Sequence, residues 1–269
     1  MSNQSGTRQS RCDLLRSLHV PGRPLLLPNA WDAATARAVV AAGFPVIATT
    51  SAGITAALGY QDHERAPREE MLLAAGRIIR SVDVPVTVDL EAGYGLEPAE
   101  LVAALLQIGA AGCNLEDTDH SNESLREPDR QADWLHRVRE AANDQGYGLV
   151  INARVDVFLH SLDKRPQADV LDEALRRARA YVEAGADCVY PITLWERDVL
   201  ASFVADVGSA VNILTTPRAP AIADLAELGV ARISWAGFLY RGAMEWLAGK
   251  VASLADEASQ AGLPLRPLT

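Results

Sequence analysis

Cysteine is scarce in this chain: 269 residues contain three, Cys12, Cys113 and Cys188. They are too few and too scattered for a disulfide framework or a cysteine-built metal cluster. Cys113 and Cys188 lie inside apolar runs and are expected to act as small hydrophobes, which suits a reducing cytoplasm. Positive charge is in deficit as well. Lys plus Arg is 25 against 35 for Asp plus Glu, a net of −10 with a pI near 5.0, and that average field repels a phosphate-coated partner. No basic stripe offsets it; Arg176, Arg177 and Arg179 form a short cluster that reads as a solvated helix face. Nucleic acid is excluded as a partner on this ground. A membrane span is lacking too. The uncharged stretch 38–61 is broken by Gly43, Pro45, Gly53 and a Thr/Ser cluster, whereas a spanning helix needs about 20 mostly apolar residues without such breaks. The N-terminal MSNQSGTRQSRC has no hydrophobic signal core, so a soluble, cytoplasmic protein is expected.

What is present is core material: 49% of residues are apolar and 22% charged, a globular balance. Short, continuously apolar runs occupy 25–28, 46–50, 86–91, 113–117, 149–156, 188–192, 211–216 and 231–236. Unbroken rather than alternating runs are expected of parallel strands buried on both faces. Helical patterns fall between and after them, at 31–42, 67–81, 97–109, 129–145, 167–184, 195–207, 220–228 and 239–258. Four of the helices end in small-residue turns, AAGFP, QIGAAG, EAGAD and ELGVA, where glycine can close a helix in the left-handed conformation. Eight such units without a composition break predict an α/β fold, a single (β/α)8 TIM barrel spanning 1–269. An open doubly wound sheet would more often carry a glycine-rich phosphate loop after its first strand, and PNAWDAAT is not one. Residues 7–18 are predicted to add an N-terminal helix, and the tail after Gly262 to be extended.

In a barrel, function sits where the strands end. The runs turn polar at Asn29, Trp31 and Asp32, at Thr49, Thr50 and Ser51, at Asp89 and Glu91, and at Glu116 and Asp117. Further on they do so at Arg154 and Asp156, Pro191, Thr215 and Thr216, and Trp235. Asp89, Glu91, Glu116, Asp117, Asp156 and Arg154 thus converge on one rim, with Asp89 and Glu91 expected to point the same way at strand spacing. Crowded carboxylates repel unless a cation or a shared proton relieves them. Oxygen ligands without His or Cys fit a hard cation, Mg2+ before Mn2+. Arg154 is placed to grip the carboxylate of an anionic substrate bidentately; the competing reading pairs it with Glu116 or Asp156 to hold the rim.

The segments ATTSAGITAALGYQD, VPVTVDLEAGYG, GCNLEDT and INARVDVFL, in this order and spacing, resemble the signature segments of the isocitrate lyase / phosphoenolpyruvate mutase superfamily. The resemblance implies a divalent cation, normally Mg2+, that chelates a 2-oxo acid or its enolate. It puts the metal-ligand aspartate on Asp89 and a second, usually water-bridged acid on Glu91, one methylene longer than the family's aspartate. The acidic pair of the LED motif falls on Glu116 and Asp117, with Glu116 holding metal-bound water. The substrate-gripping arginine falls on Arg154, the carboxylate-binding loop on Thr50, Ser51 and Ala52, and the aspartate closing that loop on Asp62. It also implies a homo-oligomer, a tetramer or a dimer, in which the apolar terminal helix FLYRGAMEWLAGKV is swapped onto a neighbouring barrel.

Within the superfamily, the segment after the LED motif acts as a lid and decides which bond breaks. Lyases of the isocitrate type resemble one another in a KKCGH lid; here the segment reads TDHSNESLREPDR, without cysteine. Mutases carry lysine and asparagine there, and this segment has Asn122 but no lysine, with Arg126 as its cation. The expected activity is a Mg2+-dependent lyase cleaving a C–C bond in a small 2-oxo or 2-hydroxy mono- or dicarboxylic acid. Phosphorus–carbon chemistry (a phosphonopyruvate hydrolase or phosphoenolpyruvate mutase) and a non-catalytic 2-oxo acid binder are the alternatives. Proton delivery is open between His120, water positioned by Asn122, and the water at Glu116. The last is favoured, since His120 shows no orienting partner in the sequence, and His160 shows no partner spacing either.

Overall fold

Pro28 divides the first apolar run. In the computed structural model, which describes residues 2–263, that run forms two short strands, β1 (Leu25–Leu27) and β2 (Asn29–Ala30), because proline has no N–H to give to a ladder. The remaining barrel strands are β3 (Ile47–Thr49), β4 (Val86–Asp89) and β5 (Gly112–Glu116). A hairpin of β6 (Thr118–Asp119) and β7 (Ser124–Leu125) precedes β8 (Val150–Val155), β9 (Cys188–Pro191), β10 (Ala210–Leu214) and β11 (Arg232–Ser234). The nine-stranded sheet runs β1-β11-β10-β9-β8-β5-β4-β3-β2. All its pairs are parallel. Its two ends are therefore the two halves of one run. The sheet closes on itself as the predicted barrel, and eight runs become nine strands only through the break at Pro28.

Asn29 bridges that seam at the active rim. Its Nδ2 donates to the Thr49 carbonyl at 2.7 Å and its Oδ1 accepts from the Trp235 N–H at 2.8 Å, so one buried amide ties the strand before it to the strand after it. Inside the barrel, Arg232 Nη2 donates to Asn114 Oδ1 at 3.0 Å. The two residues sit on β11 and β5, which are not neighbours in the sheet, so this bond crosses the interior. Cys113 and Cys188 are fully buried, as is Cys12 on the N-terminal helix. All three are free thiols.

The helices lie outside the sheet: α1 (Ser2–Ser17), α2 (Ala33–Ala41), α3 (Ser51–Leu58), α4 (Arg68–Arg80), α5 (Pro98–Ile108) and α6 (Pro128–Asp144), then α7 (Val157–His160), α8 (Leu171–Glu183), α9 (Arg197–Val207), α10 (Ile222–Glu227) and α11 (Phe238–Gln260). The four predicted turn glycines all have positive φ: Gly43 93°, Gly109 84°, Gly185 102° and Gly229 88°. α1 seals the barrel end opposite the active rim. Leu15 is fully buried, and Arg16 bonds the carbonyls of Gly148 and Leu149 and the carboxylate of Asp187, residues that open strands rather than close them. α3 was not expected; the segment beginning at Ser51 is a helix capped by Thr50, whose Oγ1 accepts from Gly53 N–H. α11 buries none of its residues, and Trp246 on it is 71% exposed. Among the described residues no helix is long and apolar enough to cross a membrane. The predicted extended tail lies outside the described residues, apart from its first.

Replacing Asn29 by alanine removes both bonds and leaves a buried carbonyl and a partly buried N–H without this partner. A loss of roughly 2–4 kcal/mol is expected from the cost of two unsatisfied groups, read as a lower denaturation midpoint with an unchanged m-value. An unchanged midpoint would show that the seam does not depend on this side chain.

Candidate active site

The acidic rim exists because the apolar ladders stop at charged residues. Asp89 is the last residue of β4, Glu116 the last of β5, and Asp156 follows β8 directly. Glu116 is in register with Arg154 on the neighbouring strand. Arg154 is the hub: its Nε and Nη2 donate to the two oxygens of Asp156 at 2.7 and 2.8 Å, and Nη2 also reaches Glu116. Nη1 carries no hydrogen bond to the described residues. Burial works against the charge on Arg154, but Asp156 and Glu116 outweigh it and hold the guanidinium protonated. Burial likewise works against ionisation of Asp156, and Arg154 with the Thr118 hydroxyl keeps its pKa below the usual carboxylate value. The arginine thus serves both competing readings: one edge holds the rim, and the other edge faces the cavity.

Glu116 gives its other oxygen to His120, whose Nε2 lies 2.5 Å from Oε1. Burial raises the Glu116 pKa well above its ordinary value against the pull of Arg154, and burial lowers that of His120. The short contact between them is a hydrogen bond, with a proton between the two groups. Thr118 Oγ1 donates to Asp156 Oδ2 and lies 3.0 Å from His160 Nε2. The hydroxyl proton being committed to Asp156, His160 is the donor in that second contact.

Beside this paired half of the rim lies an unpaired one. Ser51 N–H donates to Asp89 Oδ2 at 3.0 Å, and Glu64 N–H to Glu91 Oε2 at 2.6 Å. Asp62 Oδ1, Asp89 Oδ1 and Glu91 Oε1 are buried and accept nothing from the described residues. Burial, then the adjoining Asp62 and the charge of Asp89, push the Glu91 pKa up to about 9. Buried carboxylates in this state call for a proton or a cation between them, and oxygen-only donors suit a hard divalent ion. Among the described residues no three His, Cys, Asp or Glu side chains are arranged to hold a metal by themselves. A cation here would therefore draw on Asp89 and its orphaned neighbours and fill the rest of its shell with water, as Mg2+ commonly does.

Over the rim opens a cavity of about 590 Å³, lined by Asp62, Thr118, His120, Arg154, Asp156 and His160 and, toward its mouth, by His63, Arg65, Glu123 and Lys164. The described non-glycine residues with positive φ are His63, Glu64, Glu91, Tyr94, Glu123, Asp163, Thr193 and Ala236. Every one stands in a connection on this rim. Backbone held in a costly conformation collects where function needs a fixed geometry.

Several expectations change. Glu91 does not follow strand alternation: β4 ends at Asp89, and Glu91 sits beyond it with φ 49°. Glu116, expected at the metal, has both oxygens engaged by Arg154 and His120. His120 has the orienting partner that its sequence context did not show. Asn122 is exposed at the hairpin tip, where its Oδ1 accepts from Ser124 N and Oγ, and it does not line the cavity. Thr50 and Ser51 are buried at the start of α3 and, like Ala52, do not line the cavity; Ser51 acts on Asp89 instead. The lid segment is a hairpin rather than an open loop. Arg126, its cation, turns away from the cavity to Gln131 and the Ala92 carbonyl. Arg177, read as part of a solvated face, is buried against Asp117 at 3.1 Å. Asp117 also accepts from Tyr181 Oη and from Asp156 N–H, so it supports the rim from behind. His160 was missed, although it lies four residues after Asp156, one helical turn on.

Comparison with known proteins shows the family and the fold. The family model described as phosphoenolpyruvate phosphomutase matches residues 15–255. Phosphoenolpyruvate phosphomutase of Streptomyces hygroscopicus is 30% identical over 252 residues, covering 88% of this chain and 78% of that one. A solved structure from Burkholderia cenocepacia J2315 is 41% identical with a TM-score of 0.84, over 90% of this chain and 99% of that one. The structure of oxaloacetate acetylhydrolase with its product oxalate has a TM-score of 0.81 at 22% identity, over 97% and 90% of the two chains, a likeness of fold.

The Asp117–Arg177 pair gives a test of which acids build the rim. Asp117→Asn leaves Arg177 buried without its full counter-charge, and a loss on the order of 3 kcal/mol is expected, the same with and without Mg2+. A stability loss that appears only when Mg2+ is present would place Asp117 at the cation instead.

Proposed function

Because the chain belongs to the phosphoenolpyruvate phosphomutase family, within the isocitrate lyase / phosphoenolpyruvate mutase superfamily, we propose that it is a Mg2+-dependent lyase that cleaves a carbon–carbon bond in a small 2-oxo or 2-hydroxy carboxylic acid. The observation that carries this reading is Arg154. Its Nε and Nη2 are fixed by Asp156 and Glu116, its Nη1 is left for a substrate, and it lines the cavity together with Asp62, one of the orphaned acids. The hairpin favours C–C over P–C cleavage, since it presents no lysine and Arg126, the residue that follows it, turns away from the cavity.

The reaction needs charge stabilised and a proton placed. A divalent cation at Asp89, when bound, supplies positive charge beside the substrate oxygen that turns negative as the bond breaks. Arg154 supplies the second positive group, already oriented, so little reorganisation is required as charge develops. As the carbon–carbon bond breaks, the hydroxyl on the departing carbon becomes a carbonyl and gives its proton to the Glu116–His120 pair. The electron pair left on the carbon next to the other carbonyl takes up a proton from the same pair as a new C–H bond. The Glu116–His120 hydrogen bond supplies the proton, since His120 lines the cavity. Asp62 and Glu91 draw the cation, and Thr118, Asp156 and His160 keep Arg154 from swinging.

Several outcomes follow. A panel of 2-oxo and 2-hydroxy acids should show pyruvate or glyoxylate release with Mg2+; turnover confined to phosphonopyruvate, or binding without turnover on any member, overturns the assignment. Asp89→Ala should abolish Mg2+ binding by calorimetry together with turnover, while Glu91→Asp keeps both. Glu116→Gln and His120→Ala should each lower kcat on the order of a hundredfold or more, the usual size of a general acid–base contribution. Wild-type kcat in His120→Ala would remove the histidine from proton delivery.

The exposed side of α11 fits the same family reading. Met244, Trp246, Leu247, Val251 and Leu254 remain uncovered, and contiguous apolar patches of this kind mark contact surfaces. A second copy of the chain is taken as the partner. Trp246→Glu should shift the sedimentation coefficient to that of a smaller species; an unchanged value would leave α11 without this role.

A further inference from the structure

Lysine is rarer here than cysteine. The chain has two, Lys164 and Lys250, and Lys164 lines the mouth of the cavity above Arg154. Three of the five histidines, His63, His120 and His160, line the same cavity, as does Arg65. One of the two lysines and three of the five histidines thus meet at one opening.

The two permanent cations there are unspent. Arg16, Arg139, Arg154 and Arg177 each hold a carboxylate. Arg65 makes no side-chain hydrogen bond or ion pair with the described residues, and Lys164 donates only to the His160 carbonyl, at 3.2 Å. The acids that could neutralise them are mostly engaged elsewhere. Asp156 is held by Arg154, Asp62 adjoins Glu91, and Asp163, next to Lys164 in the chain, pairs with Arg218 at 3.8 Å. Glu123 on the hairpin is the remaining carboxylate at the opening.

Both cations stand on pinned backbone. Arg65 follows His63 and Glu64, whose φ values are 69° and 56°, and Glu64 is tied to Glu91 through its N–H and to Tyr94 N–H through its carboxylate. Lys164 follows Asp163, with φ 58°. Unneutralised cations at a cavity mouth attract and orient an anion that enters it.

We propose that Arg65 and Lys164 are a specificity-determining pair that binds a second acidic group of the substrate, at the end away from the bond that breaks. The substrate is then a dianion, a dicarboxylate, and a 2-oxo monoacid lacks half of its recognition. This rests on the reading of Arg154 as the grip for the first carboxylate.

Full-length protein with Mg2+ is titrated calorimetrically with oxalate, which spans only the Arg154 end, with 2-oxobutyrate, and with the non-cleavable diacid 3,3-difluorooxaloacetate. Wild type should bind the diacid at least about tenfold more tightly than 2-oxobutyrate, a difference of about 1.4 kcal/mol. Arg65→Met and Lys164→Met, singly and together, should remove that advantage and leave oxalate within about twofold. Equal affinities of wild type for the diacid and 2-oxobutyrate would overturn the pair, as would variants that weaken oxalate as much as the diacid. A loss seen with 3-phosphonopyruvate but not with the diacid would assign the pair to a phosphonate and overturn it too. No oxalate binding by wild type would instead bring down the Arg154 grip, and the pair with it.

Discussion

Like charges buried side by side are the constraint to which this molecule answers. Asp62, Asp89, Glu91, Glu116, Asp117 and Asp156 crowd one end of the barrel, and most of them are out of contact with water. The structure resolves the crowding in two different ways. Asp117, Asp156 and Glu116 are met by Arg177, Tyr181, Thr118, Arg154 and His120, and they form a fixed wall. Asp62, Asp89 and Glu91 are left with buried oxygens that nothing among the described residues satisfies. The first set explains why the rim has a defined shape, and the second why an additional positive charge belongs there. An acid cluster that was neutralised throughout would be inert, and one with no neutralisation would not fold.

The legible part of the fold was the part governed by burial on both faces. Continuous runs such as 149–156 have one physical explanation, a central parallel strand, and the glycine turns at 43, 109, 185 and 229 mark where the intervening helices close. What a run cannot display is an interruption by one residue, and Pro28 splits a strand that otherwise reads as unbroken. Periodicity also says little about eight residues, so the short α3 was read as loop. At the site, Asp89, Glu116 and Arg154 could be read because strand ends are where chemistry collects. Glu91 escaped because its backbone leaves the strand and takes a left-handed turn, after which alternation no longer applies. Arg177 escaped because its partner, Asp117, is far away in the chain, and a local pattern cannot distinguish an inward arginine from an outward one. His160 depends on Thr118, far away in the chain, whereas the four-residue spacing of His120 from Glu116 was a usable signal.

The two ends of the barrel divide the work. One end is sealed by α1, through Leu15 and the Arg16 bonds to the strand beginnings, and its turns use glycine wherever φ is positive. The other end tolerates non-glycine residues in the same region of conformational space. Relaxed closure on one side supports a constrained opening on the other, and Arg232, bonded across the interior to Asn114, places a positive charge beneath the acids from within the core.

The break at Pro28 also sets an order of events in the life of the chain. Among the described residues β1 pairs with β11 alone, so the segment made nearly first must wait for the segment made nearly last. Until the ribosome has delivered Arg232, Ile233 and Ser234, the barrel is an open, curling sheet with a bare edge, and pairings so distant in sequence are slow and exposed to aggregation. Asn29 then acts as a latch. Its acceptor stays idle until Trp235 arrives, one residue after the final strand, so the bond that completes the rim forms only when synthesis has passed the last piece of the wall.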